Sequence, residues 1–343
     1  MKSRRIKLPL IAVLLTVAVA AAAGWWWLKH QASVQTVPPT SNPACNLPAE
    51  KANTPHAGMV WVPAGSFVLG DTVYPEEQPA GKVQVAGFWM DRSEVSNDAF
   101  AAFVKATGYV TVAERPVDLT LHTGLTPEMQ KPGAVVFSMP DKINNSGDVR
   151  QWWRYVPGAD WRHPGGPSTS IEGHGAFPVV HVTYADALAY AKWIGHKLPS
   201  EAQWEWAARG AQAQAASEHA QPLQANTWQG LFPVANSGDD GYIGLAPSGC
   251  YTPNALGLFD MIGNAWELTS DVWLPFHQGD NASHDQLPSE LHRGDVQRTI
   301  KGGSYLCAPN YCMRYRSAAR QPQDEDLAVS HLGFRTVLNA PAP

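Results

Sequence analysis

Apolar and polar positions along the chain fall into a few readable runs separated by long stretches without a period. In SNDAFAAFVKATG, Phe100, Phe103 and Val104 share one face of a 3.6-residue repeat. Ser96 stands at the N-cap and Gly108 at the stop, so the segment predicts a helix. TYADALAYAKWIG predicts a second helix, running from the Thr183 cap to Gly195. SEAQWEWAARG follows at once: Ser200 and Gln203 have capping-box spacing and Gly210 ends the run. In GMVWVPAGSFVLGD two short β-rich runs flank PAGS, which predicts a hairpin. Beyond Gly210 only turns and short strand-like runs follow.

The N-terminus has a different pattern. Lys2, Arg4, Arg5 and Lys7 precede a stretch from Leu8 to Leu28 that carries no charge and closes on Trp25, Trp26 and Trp27. About 20 apolar residues span a bilayer, and tryptophans suit its interface. Residues 1–29 therefore read as a signal anchor, or as a signal peptide cleaved near AAAG. Residues 30–55, rich in Pro, Ser, Thr and Asn, read as a linker. Residues 56–340 form the economical single domain. Both readings of the leader export that domain, to the periplasmic side of the inner membrane in a Gram-negative cell, where disulfides persist.

Composition narrows the class. Charged residues make up 16% of the chain, against about 25% ordinarily. Gly (29), Pro (28) and Trp (14) are abundant, which favours a loop-rich fold held by aromatic side chains. A net charge of −5 excludes nucleic acid as a partner, since that needs a basic stripe.

Four cysteines are too few for a disulfide scaffold. Cys307 and Cys312 stand five apart in GGSYLCAPNYCMRYR, the wrong spacing for a CxxC redox motif or a zinc knuckle. On a regular strand that offset would put them on opposite faces. The turn at Pro309-Asn310 could bring both sulfurs inward. A disulfide across a small loop and a soft-metal pair both satisfy the spacing. Cys45 and Cys250 are left over and could pair, tying the linker to the domain.

MVWVPAGSFVLG, WWRYVPGADWRHPGGPSTSIEG, KLPSEAQWEWAARG, NALGLFDMIGNAWELTSDVW and the cysteine segment through SHLGFR together resemble the formylglycine-generating enzyme family, also called sulfatase-modifying factors. The resemblance covers nearly everything after the linker. It implies an α+β fold, one irregular mixed domain with a C-type-lectin-like core and little regular secondary structure. It also implies an oxidase that uses Cu(I) and O2 to convert a cysteine of a client polypeptide to Cα-formylglycine. The client implied is a sulfatase carrying a CxPxR-type motif, and the enzyme a monomer. By the same resemblance Cys307 and Cys312 bind copper, and soft thiolates do select Cu(I). Ser304 and Trp266 would line the copper pocket, whereas Arg314 and Arg316 read as ion-pair or carbonyl-binding residues.

Calcium is implied at two places. Asn226, Thr227, Asp240 and Tyr242 fall on the first; Asp260, Gly263, Ala265 and Glu267 fall on the second. Irregular loops rich in oxygens suit an ion that takes 6–8 of them. The chain departs from the family at His331, where asparagine is usual, which bears on client binding. It departs again at Asp260, also in place of asparagine. Ser317 and Thr336 replace cysteines that are disulfide-bonded in animal members. Three other readings remain at this point: an exported enzyme maturing a peptide natural product, a lectin-like module that only binds, and an iron-dependent sulfoxide synthase. The last lacks its histidine-bearing helical bundle.

Overall fold

The computed structural model describes Cys45, Leu47, residues 56–339 and residue 341, apart from 121, 123, 214–220, 223 and 278–295. The leader at 1–29 and most of the linker lie outside the described residues. Among the described residues no helix is long and apolar enough to cross a membrane.

The three helices form where the caps place them. Helix α1 (Asn97–Thr107) starts at Ser96, whose Oγ accepts from the Ala99 amide at 3.2 Å. It stops at Gly108 (φ 68°), the left-handed conformation that glycine adopts at low cost. Helix α2 (Tyr184–Trp193) carries a Thr183/Asp186 capping box, and α3 (Glu201–Ala208) carries the Ser200/Gln203 box. The first stripe, Phe100, Phe103 and Val104, packs with Tyr190, Trp161, Trp266, Phe334 and both free cysteines in the main core.

Among the described residues the strands are short and fall into four small sheets. β1 (Met59–Val62), β4 (Phe88–Asp91) and β11 (Val337–Leu338) form one, in the order β1-β4-β11. β2 (Gly65–Val68) pairs with β3 (Lys82–Val85), and β5 (Gly133–Phe137) with β6 (Trp153–Pro157). The largest runs β10-β7-β8-β9, from Leu332–Gly333, Trp266–Val272, Gln297–Lys301 and Arg320–Asp324. β7 and β8 are antiparallel, whereas β10 lies parallel to the start of β7, opposite Trp266 and Glu267.

The hairpin expected over 58–71 does not form. Both strands exist, but β1 pairs with β4 and β2 with β3, in different sheets. The reason is Trp206 of α3. Its Nε1 donates to the Pro63 carbonyl at 2.8 Å, and its ring lies where a Cβ on Gly65 would stand. The chain bends around this indole, and both strands cover a second core built on Phe67, Phe88, Met90, Trp204 and Trp206.

Several of the chain's few charges are paired inside. Helix α3 buries Glu201 and Glu205 against Lys301, Arg209 and Arg320. Burial alone would raise Glu201, but Arg320 and Lys301 outweigh it and hold the carboxyl far below its ordinary range.

Residues 44–343 make up one compact unit. Cys45 and Cys250 are joined across 205 residues, and Leu47 lies against Gly249, so the end of the linker is pinned to the domain. Closing so long a loop restricts the unfolded chain. Cys250→Ser is expected to lower stability by roughly 2–5 kcal/mol. Equal melting temperatures with and without reductant would refute this.

Candidate functional site

The cysteine pair is positioned by backbone. β8 ends at Lys301 and the chain reverses through Gly302 and Gly303. At Gly303 (φ 79°) a Cβ would stand 2.5 Å from the Arg314 carbonyl, so only glycine lets the two arms of the loop approach. The Cys307 amide donates to the Ser304 carbonyl, and the Tyr311 and Cys312 amides both donate to the Ala308 carbonyl. This is the turn read at Pro309-Asn310. Asn310 locks it outward: its Oδ1 accepts from the Phe232 amide and its Nδ2 donates to the Phe232 carbonyl. The two sulfurs are free thiols, 1% and 6% exposed, with Sγ atoms 2.6 Å apart.

A cavity of about 340 Å³ opens onto the pair. Ser304, Trp266 and His331 line it, together with Trp153, Tyr311 and Arg314. The Trp266 amide donates to the His331 carbonyl at 2.8 Å, so the β7/β10 crossing sets both residues on the cavity wall. All five sequence-read residues of this site therefore meet in one place.

Burial drives the Cys307 thiol well above its ordinary range. Cys312 is drawn the other way, first by the hydrogen bond from Cys307 and then, against burial, by the Arg314 amide and guanidinium. Cys312 is thus the thiol that ionises first. Arg314 pairs with Glu76 and stacks 4.1 Å over the Tyr74 ring, and Arg316 forks onto Glu77 with a further bond to Asp71. Arg316 is the ion-pair residue expected; Arg314 also faces the cavity.

His331 presents an edge to the cavity, and its ring meets Trp153 at 4.8 Å, edge to face. Its Nδ1 is inaccessible and has no partner among the described residues. Burial, with His181 adding, pushes it down to about 3. A base so depressed contributes stability above the unfolded value near 6.5 and loses it as pH falls toward 3. His331→Asn should therefore gain on the parent as pH drops from 6.5 to 4. The gain is at most about 1.4 kcal/mol per pH unit, reduced by solvent screening in the cavity. A pH-independent difference between the two melting curves would show that the ring is not held neutral.

The first oxygen-rich set is also brought together. Asp240 accepts from the Thr227 amide at 2.9 Å and the Tyr242 amide at 3.2 Å. Buried Asn226 donates through Nδ2 to the Gly244 carbonyl and Asn264 Oδ1, which leaves its Oδ1 without a partner. An unpaired buried oxygen, one residue from the Thr227 amide that binds the Asp240 carboxylate, fits a hard cation.

In the second set the side-chain oxygens already have protein partners. Glu267 Oε2 accepts from Trp204 Nε1 and Arg335 Nε, and Oε1 accepts from Arg335 Nη2 at 2.6 Å. Both its oxygens are engaged. Asp260 Oδ2 accepts from the Gly249 amide at 2.6 Å. Among the described residues no three His, Cys, Asp or Glu side chains are grouped to hold a metal.

Trp153, Tyr311 and Asn310 were not read as site residues. Tyr311 had a signal, because it lies between the cysteines; it is 45% exposed and stacks on Phe232 at 4.1 Å. Trp153 had none beyond its neighbours.

The family model for the sulfatase-modifying factor enzyme 1-like domain matches residues 45–340. A formylglycine-generating enzyme of Mycobacterium tuberculosis is 47% identical over 289 residues, 81% of this chain and 97% of that protein. The mouse formylglycine-generating enzyme is 41% identical over 288 residues, 81% of this chain and 74% of that one. Among solved structures, PvdO from Pseudomonas aeruginosa superposes with a TM-score of 0.58 at 22% identity, covering 84% of this chain and 97% of its own. That likeness speaks for the fold.

Proposed function

From the premise that this chain belongs to the sulfatase-modifying factor family, we propose that it converts a cysteine of a client polypeptide to Cα-formylglycine. The client is a sulfatase or a peptide of that kind. The observation that carries the reading is the pair of buried free thiols at the floor of a cavity, in a chain 47% identical to an enzyme of that name.

The donor set suits Cu(I). Two thiols with no third ligand grouped beside them among the described residues match a low-coordinate soft cation, whereas tetrahedral zinc would want four ligands. When bound, copper would supply O2 chemistry at the client cysteine. Cysteine going to aldehyde and sulfide releases two electrons, and reduction of O2 to water takes four, so a thiol reductant is required as co-substrate. The protein's own groups do the rest. Cys312 ionises first and Arg314 stabilises its charge. Trp266 and Trp153 keep the cavity wall dry, and Ser304, whose Oγ accepts from the Leu306 amide, holds the loop carrying Cys307. His331 is the residue for client main chain. Calcium belongs at Asn226, Thr227, Asp240 and Tyr242.

Export is part of the proposal. The Cys45–Cys250 disulfide suits an oxidising compartment such as the periplasm.

The test is mass spectrometry of a CxPxR peptide incubated with copper-loaded protein, O2 and a thiol. Formylglycine exchanges a sulfur and two hydrogens for one oxygen. An unmodified peptide that nonetheless binds would favour a lectin-like binding module instead. His331→Asn should keep copper affinity and shift the client KM by about fivefold, the worth of one hydrogen bond. An unchanged KM would remove His331 from client binding.

A further inference from the structure

The four-stranded sheet has two unlike faces. In one row across β7, β8 and β9, Glu267, Lys301 and Arg320 stand in register, and the last two bind Glu201 of α3. In the next row the partners are Leu268, Ile300 and Gln321. Successive residues of a strand point to opposite faces, so this row belongs to the other side, where Leu268 and Ile300 are buried in the main core with Trp266. An apolar residue would continue the row, but an amide stands there instead.

Gln321 is half-buried on an outer strand of the sheet and lines the same cavity as the two thiols. Its neighbours along β9 are engaged: Arg320 donates to Glu201 and Gln323 to the Leu327 carbonyl. The Gln321 side chain has no hydrogen-bond partner among the described residues. A side-chain amide offers two donors and an acceptor oxygen, a match for the N–H and C=O of a peptide unit. His331, directly before β10, lines the cavity from the opposite outer strand of the same sheet. Three strand spacings separate β10 from β9, roughly 14 Å, the length of about four extended residues.

We propose that Gln321 is a client-binding residue whose side-chain oxygen accepts a main-chain N–H of the client, about four residues along from the point that His331 holds. The client segment then lies extended across the cavity, tied at both edges of the sheet. A main-chain contact is indifferent to the client side chain at that position, so Gln321 sets the register of the segment and not its sequence. The inference rests on the reading of the client as a polypeptide and adds the residue that positions it.

The test uses the full chain, reduced and copper-free, and a labelled CxPxR peptide with serine in place of its cysteine. Gln321→Leu should weaken peptide binding about fivefold, the worth of one hydrogen bond, and raise KM for the cysteine peptide equally while kcat stays within about twofold. It should melt no lower than wild type, because leucine continues an apolar row. Peptides N-methylated at one main-chain nitrogen at a time separate contact from packing. One of them should bind wild type about fivefold more weakly than the parent peptide, and Gln321→Leu no more weakly. Equal losses in both proteins for every N-methyl peptide, an unchanged Kd in Gln321→Leu, or a peptide that wild type does not bind overturn the proposal. Should Gln321→Leu fail to fold, Gln321→Met, unbranched and similar in length, takes its place with the same expectations. The binding arm needs neither copper nor O2. Wild type that binds the peptide through Gln321 but forms no formylglycine defeats the oxidase reading alone. Formylglycine made with a KM that Gln321→Leu leaves unchanged defeats this proposal alone.

Discussion

Cys307→Ser and Cys312→Ser are each expected to lose Cu(I) affinity and client turnover together, by more than about 100-fold. Even outer partners of metal ligands are worth about 10–100-fold, and here a soft ligand itself is exchanged for a hard, protonated one. Both thiols are buried at one turn, and among the described residues no third donor is grouped beside them, so neither serine variant has a substitute ligand there. Competition against a Cu(I) chelator gives the affinity, and protection from alkylation reports both thiols independently of turnover. Each variant should melt near the parent temperature, because serine fits the space and the turn is held by Asn310 and the Ala308 carbonyl. Wild-type copper affinity in both variants would make the pair structural and end the oxidase reading.

The largest stability effect is expected at Arg335. Its side chain is fully buried, binds both oxygens of Glu267 and donates to the Phe259 carbonyl at 2.9 Å. Arg335→Leu leaves Glu267 uncompensated beside Asp91, Glu94 and Asp260. Removing one partner of a buried ion pair costs about 3–5 kcal/mol, or a fall in Tm on the order of 10 °C. Arg335→Lys should rescue little, because an ammonium cannot reproduce the fork. The double variant Glu267→Leu/Arg335→Leu should be less damaged than Arg335→Leu alone, since one fewer uncompensated carboxylate remains in the cluster. Equal losses in the single and double variants would show that packing, and not charge, sets the penalty.

The sequence by itself determined what depends on neighbours a few residues away. Ser96, Thr183 and Ser200 each cap a helix within three residues, so their interactions are formed by the segment that encodes them. The cysteine turn is equally local, because Cys312 closes onto Ala308 inside the same loop. The resemblance added the partners in the cavity, since Ser304, Trp266 and His331 carry recognisable surroundings. Tertiary structure alone decided the rest. PAGS looks like a hairpin because a strand pattern records which face is buried and not against which strand, and Trp206, far along the chain, took Pro63. Glu267 has the charge of a calcium ligand, but Arg335, 68 residues on, claims both its oxygens. Glu94 accepts from Asn264, 170 residues on, and nothing near it in the chain marks that contact. A carboxylate's function depends on which charges reach it, and that is set by packing between segments whose order along the chain says nothing of their distance.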